Sequence, residues 1–501
     1  MQIAVSADRA GQYQGDAVVV GVLQKSLLAG PAAEVNAALQ GLLGQLLDAG
    51  EIRGRPGEVT ILHTQGRLPA ARVAVVGLGE VAQFDLFVLR RAFSTAVRQL
   101  RDRGCRRVGL ALFPDAPFPL RAEPVVRALV EAAYVGLYRG DECKTEAGLP
   151  PELDELTVLG LAEGEVDSAR AIAEAARHAG EATNYARLLV NLPANEVTPA
   201  RLAQEASEIA AETGLALRVL ELGELQRLGL GALLAVGQGS ANAPRLIVLE
   251  HRRGQPDRPV LAFIGKGITF DSGGISLKPP ADMHLMKGDM AGAAAVLAAM
   301  RAVARRQLPL TLLGLIPAAE NLPSATAFRP GDVVHTYGGK TVEIISTDAE
   351  GRMILADALA YARELGATHL VDVATLTGAC IIALGHVAAA VLGVDNELVE
   401  AVLEAGDQAG ERLWRLPLFP EYRRQLDSKV ADLKNVGGRP AGAITGALFL
   451  KEFVGDVSWA HLDIAGAAFA ESDQPHQAEG GTGAGTRTLL ALAERFSGGL
   501  P

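Results

Sequence analysis

Hydrophobic and polar positions in the first third of the chain follow two periods. Short runs rich in β-branched residues are typical of strands, and apolar positions three or four residues apart are typical of helices. The pattern predicts strands at residues 16–23, 72–77 and 107–113 and helices at residues 84–101 and 124–137. Strands that alternate with helices indicate an α/β domain. We therefore expect residues 1–165 to form a separate N-terminal domain.

The same alternation resumes after a long alanine-rich helical pattern at residues 167–188. It predicts strands at residues 245–249, 260–264, 311–316, 341–345 and 369–374 and helices at residues 293–306 and 353–365. This order is typical of a central mixed sheet covered by helices. We expect residues 166–190 to form a linker helix and residues 191–501 to form a second α/β domain.

The composition is that of an ordinary globular protein, since 49% of the 501 residues are hydrophobic and 21% are charged. Three cysteines lie far apart, which argues against a disulfide framework and for a reducing compartment. The N-terminal segment lacks the pattern of a signal peptide, and no apolar run reaches membrane-spanning length. We expect a cytoplasmic enzyme that does not associate with membranes.

Acidic residues outnumber basic ones, 58 to 47, which gives a formal net charge of -11. Because a nucleic-acid binder usually carries a basic surface, this balance argues against that kind of partner. One basic cluster is an exception to this acidic balance. Its members are Arg90, Arg91, Arg98, Arg101, Arg103, Arg106 and Arg107. We expect a solvated helix face or a subunit contact there, and a DNA-binding regulatory role is the alternative.

The motif Ser346-Thr347-Asp348-Ala349-Glu350-Gly351-Arg352 lies where a predicted strand turns into a predicted helix. Ligands of α/β proteins bind at the carboxyl ends of strands. In a fully extended strand, Asp348 and Glu350 would point to one face and could hold one cation. The alternative is an acid-capped helix start in which Arg352 pairs with a surface acid.

A second glycine-rich connection follows the predicted strand at residues 260–264 and carries Lys266, Asp271 and Lys278. Asp289 stands just before the next predicted helix. Glycines permit close approach of the backbone to a ligand. Four converging acids would repel one another unless cations neutralise them, so the cluster predicts a site for two divalent ions. Magnesium, manganese or zinc would suit the oxygen donors.

Other motifs are weaker. The nine histidines form no His-Glu-x-x-His pattern, which argues against a histidine-based zinc peptidase. Gly265-Lys266 lacks the spacing of a phosphate-binding loop, and Gly77-Leu78-Gly79 lacks the third glycine of a dinucleotide fingerprint. We expect His386 and His461 to be core histidines. A two-metal phosphoesterase is a second interpretation of the acid cluster.

Asp372 and Asp463 lie beside apolar strand residues late in the chain, and Trp459 precedes Asp463 in the same segment. Partners of the metal ligands are one interpretation of the two acids, and helix caps or structural acids are the one we favour. We expect Trp459 to pack in the core or at an interface.

Residues 265–274, 286–293 and 346–359 closely resemble motifs of the leucine aminopeptidase family, also called cytosol aminopeptidase or bacterial aminopeptidase A. Further similar segments are residues 191–199, 320–324, 329–333, 372–378, 459–466 and 483–489. The resemblance begins near residue 180. It implies an N-terminal domain of macro type, a catalytic domain, a homohexamer built as a dimer of trimers, and removal of leucine and other apolar residues from the N-termini of peptides.

The resemblance also implies two divalent ions per subunit, manganese or zinc. By motif position, the tighter ion would be held by Lys266, Asp271, Asp289 and Glu350. The readily exchanged ion would be held by Asp271, Asp348 and Glu350.

The remaining roles follow from the same resemblance. Lys278 would polarise the scissile carbonyl, and Arg352 would hold a bicarbonate ion as general base. Leu376, Thr377 and Gly378 would line the substrate cleft. Two departures from the family pattern, Ser346 for the usual asparagine and Met353 for the usual leucine, leave every proposed ligand in place.

Overall fold

The computed structural model describes residues 1–112, 121–145, 152–255 and 257–499. It contains two compact units. The first consists of Met1–Asn184 and Ser472–Glu479, and the second of Tyr185–Glu471 and Gly480–Pro501.

The first unit is built on a six-stranded sheet. Its elements are β1 (Gln2–Val5), β2 (Ala17–Val22), α1 (Gly30–Ala38), α2 (Leu42–Asp48), β3 (Val59–His63), β4 (Arg72–Gly77), α3 (Leu86–Asp102), β5 (Arg107–Ala111), α4 (Ala122–Leu137), β6 (Glu155–Leu159) and most of α5 (Val166–Asn191). The last residues of α5, from Tyr185 onward, belong to the second unit. The strand order is β1-β6-β5-β2-β4-β3, parallel except for the β3–β4 pair. The predicted strands and helices are confirmed, except that Phe113 lies outside the described residues.

The basic cluster of the first unit is largely neutralised by carboxylates of the same unit. Arg90 is buried and pairs with Glu131 at 3.0 Å. Arg101 is also buried and pairs with Asp102, so the expectation of a solvated helix face is wrong for these two arginines. Further pairs join Arg98 to Asp473 and Arg106 to Asp154.

The second unit contains the other elements. Its strands are β7 (Ala216–Leu220), β8 (Arg245–Arg252), β9 (Val260–Gly265), β10 (Gly267–Asp271), β11 (Thr311–Asn321), β12 (Val333–His335), β13 (Thr341–Glu343), β14 (His369–Ala374), β15 (Ala389–Gly393), β16 (Leu413–Arg415), β17 (Leu433–Lys434), β18 (Ser458–Asp463), β19 (Phe469–Ala470) and β20 (Gly480–Gly481). Its helices are α6 (Pro199–Thr213), α7 (Leu222–Leu228), α8 (Gly231–Gly237), α9 (Ala291–Arg305), α10 (Glu350–Glu364), α11 (Gly378–Leu384), α12 (Asn396–Ala409), α13 (Gly442–Val454) and α14 (Thr486–Gly498).

A nine-stranded mixed sheet forms the centre of the second unit, as predicted. Its order is β16-β15-β18-β14-β9-β11-β8-β7, and β10 pairs with the end of β11. Strands β18, β14, β9 and β11 are parallel neighbours. Strand β18 comes late in the sequence but lies between β14 and β15 in the sheet. It is parallel to β14 and antiparallel to β15.

Helices cover both faces of this sheet. Leu313 and Leu315 of β11 belong to the apolar cluster that contains α10 and α13. Gly314, between them, faces α9, since a Cβ there would lie 2.7 Å from Met300. Because alternate strand residues point to opposite faces, α9 and α10 lie on opposite sides of the sheet. The site residues at the start of α10 are thus carried by a buried helix.

Candidate active site

The predicted acids meet where the parallel strands of the second unit end. Lys266 follows β9 directly, and Asp271 is the last residue of β10. Asp289 precedes α9, while Glu350 begins α10. These ends bring together residues that are distant in sequence, as expected for the crevice at the carboxyl edge of an α/β sheet.

Three of the acids form a group that could hold a metal ion. One oxygen each of Asp271, Asp348 and Glu350 lies within 4.8 Å of the other two. Asp289 adjoins this group through Lys266, whose Nζ lies 2.7 Å from Asp289 Oδ2 and 2.9 Å from Glu350 Oε1. Within the described part of the chain, Glu350 Oε2 is buried and accepts no hydrogen bond. A carboxylate oxygen of this kind fits a cation ligand, because leaving it unsatisfied costs free energy.

Close packing places Lys266 among these acids. A Cβ on Gly351 would lie 2.4 Å from Lys266 Cε, so glycine next to Glu350 leaves the space that the lysine stem occupies. Lys266 Nζ also donates to Thr375 O at 3.0 Å. Thr375 Oγ1 in turn donates to Asp289 Oδ1 at 2.7 Å, so Thr375 fixes both groups.

The second lysine bridges the other two acids. Lys278 Nζ lies 2.8 Å from Asp271 Oδ2 and 2.5 Å from Asp348 Oδ1. Asn321 adds a further contact, since its Nδ2 donates to Asp271 Oδ1 at 2.8 Å and to Thr347 O at 2.9 Å. The two segments that carry Asp271 and Asp348 are therefore tied together by one buried amide.

The local geometry of Asp348 and Glu350 differs from both interpretations of the motif. Strand β13 ends at Glu343, so the acids do not lie on an extended strand. Helix α10 follows Ala349, which has no side-chain cap hydrogen bond, so the acid-capped helix start is also wrong. A turn places Asp348 at the exposed mouth and Glu350 in the interior, which brings their oxygens together at different depths.

Burial and charge shape the protonation of the cluster. Burial, strengthened by the charge of Glu350, raises the pKa of Asp271 to about 6. Burial raises the pKa of Asp289 to about 8 despite the charge of Lys266. Burial would lower the pKa of Lys266, but Asp289 and Glu350 outweigh it and raise that pKa. A cluster that resists full ionisation in this way is stabilised by added positive charge.

Arg352 lies in the first turn of α10 and is buried. Its Nη1 donates to Asn435 O at 2.9 Å. Its Nε is buried and has no hydrogen-bond partner among the residues that the structure describes. Burial lowers the pKa of the guanidinium to about 10, which still leaves it charged at neutral pH.

A cavity of about 350 Å³ lies against this cluster. The predicted cleft residues Leu376, Thr377 and Gly378 line it, and so do the apolar side chains of Leu285, Met286, Ile381, Ala468 and Phe469. Every predicted ligand, together with Lys278 and Arg352, also lines it. The structure thus brings all ten predicted site residues to one cavity.

The polar residues of β14 and β18 divide between the site and the core. Asp463 accepts from Leu376 N at 3.1 Å and from Thr377 Oγ1 at 2.7 Å, so it holds the cleft segment. Asp372 accepts from Trp459 Nε1 and His461 Nδ1 inside the core, as expected for a structural group. His386, which we expected in the core, instead lines the cavity and is half-exposed.

Sequence reasoning missed three residues of this site. Thr375 and Asn321 lie in two of the similar segments, 372–378 and 320–324, but no role was expected of them, and Asn435 lies in none of those segments. All three contact predicted ligands or Arg352. Asn321 follows a predicted strand, which is a weak signal for the crevice. For Asn435 the sequence offers no signal.

An acid-rich centre beside an apolar cleft, at the carboxyl ends of an α/β sheet, defines a metal-dependent hydrolase. Comparison with known families gives the particular kind. Residues 184–490 match the model of the cytosol aminopeptidase family, catalytic domain, and residues 19–147 match that family's N-terminal domain. The chain belongs to the cytosol aminopeptidase family.

Individual relatives agree. A "Probable cytosol aminopeptidase" of Syntrophotalea carbinolica is 48% identical over 497 residues, covering 99% of this chain and 100% of the relative. One of Geobacter sulfurreducens is 45% identical and covers 98% of each chain. The chain is accordingly an aminopeptidase that acts on peptides, and the phosphoesterase interpretation is not supported.

Solved structures extend the comparison to the fold. A mutant of tomato leucine aminopeptidase has a TM-score of 0.89 at 33% identity, covering 99% of this chain and 96% of that one. "Bottromycin maturation enzyme BotP in complex with Mn" has a TM-score of 0.84 at 38% identity, covering 96% and 100%. Together with the acid cluster, these findings support divalent metal binding by this chain. Among the residues that the structure describes, no helix combines the length and apolarity needed to cross a membrane.

Proposed function

We propose that the chain uses two divalent ions, manganese or zinc, to release leucine and other apolar residues from the N-termini of peptides. The observation that carries the proposal is the convergence of Asp271, Asp348 and Glu350 beside an apolar cavity. The donor set fits such ions, because carboxylate oxygens dominate it. When bound, two ions supply an activated water and stabilise the attacking and leaving oxygens.

The proposed ligands follow the motif positions. The tighter ion takes Lys266, Asp271, Asp289 and Glu350, and the exchangeable ion takes Asp271, Asp348 and Glu350. Lys266 must lose its proton to serve as a ligand. The carboxylates that raise its pKa are the proposed ligands themselves, so a dication on those carboxylates would favour the neutral amine.

Lys278 and Arg352 are the proposed catalytic residues. Lys278 lines the cavity and carries a positive charge that can polarise the scissile carbonyl and stabilise the oxyanion. Arg352 offers a buried guanidinium whose Nε has no partner among the described residues, which suits a planar oxyanion such as bicarbonate. Arg352 would hold bicarbonate there, and the anion would supply a general base for the attacking water.

The preference for apolar residues rests on the cavity. Leu376, Thr377 and Gly378 form the proposed cleft segment, which Asp463 holds in place. Leu285 and Phe469 are among the apolar residues on the lining, and burial of an apolar substrate side chain against them is favourable.

The wider proposals concern assembly, location and domain limits. We propose a homohexamer built as a dimer of trimers and, in line with the family description, a cytoplasmic location. We retain residues 1–165, 166–190 and 191–501 as the domain limits. A DNA-binding role gains no support from the ion-paired arginines of the first unit.

Chelation of the metal and substitution of the proposed ligand residues together test the proposed two-metal centre. Prolonged chelation should abolish hydrolysis of leucyl-amide, and manganese, zinc or cobalt should restore it. Glu350→Gln and Asp271→Asn should lower metal content at both positions, whereas Asp348→Asn should mainly weaken the exchangeable one. Elemental analysis of dialysed protein checks this. Full activity of a verified metal-free preparation, or two tightly held ions in all three variants, would contradict the proposal.

Arg352→Ala tests whether Arg352 holds a bicarbonate ion that serves as the general base. The variant should lose on the order of a hundredfold in kcat at unchanged metal content, because general-base assistance is commonly that large. Buffer free of carbon dioxide should slow the native enzyme, and added bicarbonate should reverse the slowing without fully rescuing the variant. An unchanged native rate in bicarbonate-free buffer, with the anion position shown to be empty, would rule out this role.

A further inference from the structure

We propose that Asn435 is a positioning residue for catalysis, which fixes Arg352 and the turn before Asp348 as one unit. The inference rests on the proposed function of Arg352 and adds a residue to it. Asn435 directly follows β17, the strand that pairs with β13, and it is fully buried. Its main-chain N donates to Glu343 O at 3.0 Å, which anchors it at the end of β13.

Both polar atoms of the Asn435 side chain, the acceptor Oδ1 and the donor Nδ2, form hydrogen bonds with the backbone of the turn. Oδ1 accepts from Ile345 N at 2.8 Å and from Ser346 N at 3.3 Å. Nδ2 donates to Ser346 O at 2.7 Å. An amide is the side-chain group that can accept and donate in this way without charge. The turn it holds leads through Thr347 to Asp348.

The main chain of the same residue holds Arg352. Arg352 Nη1 donates to Asn435 O at 2.9 Å. The guanidinium is closely confined as well, since a Cβ on Gly446 of α13 would lie 3.3 Å from its Nη2. Loss of the Asn435 side-chain bonds would release residue 435 from the turn and shift the carbonyl that orients Arg352.

This arrangement joins one distant residue to two neighbouring parts of the site. Arg352 lies 83 positions from Asn435, yet one residue sets the guanidinium relative to the loop that carries Asp348. Catalytic groups must be held within about 0.5 Å of their working position, and they depend on neighbouring residues for this. Asn435 should affect catalysis chiefly through Arg352, because the turn that carries Asp348 is also held by Asn321 at Thr347 O and by Lys278 at Asp348 Oδ1.

A double-mutant cycle tests the coupling. Asn435→Ala should lower kcat on leucyl-amide by on the order of tenfold to a hundredfold with a smaller change in KM and with near-native metal content. In an Arg352→Ala background the same substitution should have little further effect, because residues that act as a unit are not additive. If the two effects multiply, or if Asn435→Ala simply loses metal, the inference is wrong. Asn435→Asp, which keeps the size and the acceptor but loses the donor, gives the same test if Asn435→Ala does not fold.

Calorimetric binding of bicarbonate to the metal-loaded enzyme supplies a readout other than activity. The native enzyme should bind the anion, Arg352→Ala should not, and Asn435→Ala should bind it several-fold more weakly. Asn36→Ala is the matched control, because it removes a hydrogen bond that Gly44 N donates to the Asn36 side-chain amide in the first unit, and it should leave both measurements unchanged. If the native enzyme binds no bicarbonate, the proposed role of the anion is refuted. The double-mutant cycle would still show whether Asn435 acts through Arg352. Native-like bicarbonate affinity in Asn435→Ala would count against Asn435 alone.

Discussion

Single side chains set the charge balance of the site. Lys266 and Lys278 each bridge two carboxylates, and their pKa values are raised because these charges outweigh the effect of burial. The acids are thus placed by lysines as well as by the backbone. Small changes next to a lysine stem should therefore affect metal binding without disturbing the fold.

Gly351→Ala is such a change. The added Cβ would lie 2.4 Å from Lys266 Cε and 2.7 Å from its Nζ, so the lysine must leave its position between Asp289 and Glu350. We expect kcat to fall at least about tenfold and the tighter metal to be held less firmly, since misplaced catalytic groups cost this much or more. Thermal stability should not fall greatly, because alanine is the better helix former by about 1 kcal/mol.

Gly223→Ala in α7 is the control for this substitution. A Cβ there meets no atom within 4 Å, so activity and metal content should stay native. Native metal content and native kcat in Gly351→Ala would show that Lys266 can move without consequence.

The convergence of the proposed ligands on one cavity was predictable from sequence, because they occur in long ordered motifs near the ends of predicted strands. Asn321 and Asn435 were not, since their role is created by contacts with residues 50 and 83 positions away. Asp463 acts as a structural acid, as expected, but its link to the cleft segment was not predicted, because its partners Leu376 and Thr377 follow another strand. Local pattern identifies groups that carry chemistry but not the groups that hold them.

At the scale of elements, buried parallel strands such as β9 and β14 were found because they form continuous apolar runs. Strand β10 was missed, since glycine, threonine and aspartate interrupt its apolar pattern. Strand residues were expected beside Asp463, but the bounds of β18 were not predicted, because His461 and Asp463 are polar although they are buried. Tertiary packing supplies the partners of these polar groups and thus overrides the local signal.

Helix α10 carries a second buried acid, Asp357, which joins it to its neighbours. Its Oδ2 accepts from Leu233 N at 2.9 Å and its Oδ1 from Tyr337 N at 2.8 Å. Burial nevertheless raises the pKa of Asp357 from 3.8 to about 7. Between these two values the folded state holds a proton that the unfolded state has lost. The contribution of Asp357 to stability is therefore complete below the lower value and is lost as pH rises through the upper one.

Asp357→Asn should remove this pH dependence. The stability of the variant relative to the native protein should rise between pH 5 and pH 8, by up to about 1.4 kcal/mol per pH unit in the steepest part. Urea unfolding of metal-loaded samples at several pH values measures the free energy of unfolding of each protein. In the difference between variant and native protein, the contributions of the other titrating groups largely cancel. A difference that stays constant across this range would show that Asp357 does not titrate there.

At the scale of the whole molecule, the two family models match residues in both units. The proposed hexamer is a prediction about the assembly of six such chains. Several large apolar side chains of the second unit are exposed and available for burial between subunits, namely Ile275, Leu277, Ile345, Ile382, Trp414 and Phe419. Burying such surface is favourable by roughly 25 cal/mol per Å².

Sedimentation equilibrium should give the mass of six chains at micromolar protein concentration. The mass should persist after chelation if subunit contacts and the metal centre are independent. Monomers or dimers as the main species in the metal-loaded sample would contradict the proposed assembly.

The place of β18 in the central sheet has a consequence for biosynthesis. Residues 458–463 lie between β14 and β15, which leave the ribosome at least 65 residues earlier. Until β18 arrives, the nascent chain exposes one edge of each of two apolar strands, and unpaired edges invite association with other chains. The central sheet of the second unit therefore cannot close until residues 458–463 have emerged, and chains that terminate before Ser458 should be captured by chaperones or aggregate rather than persist as a truncated enzyme.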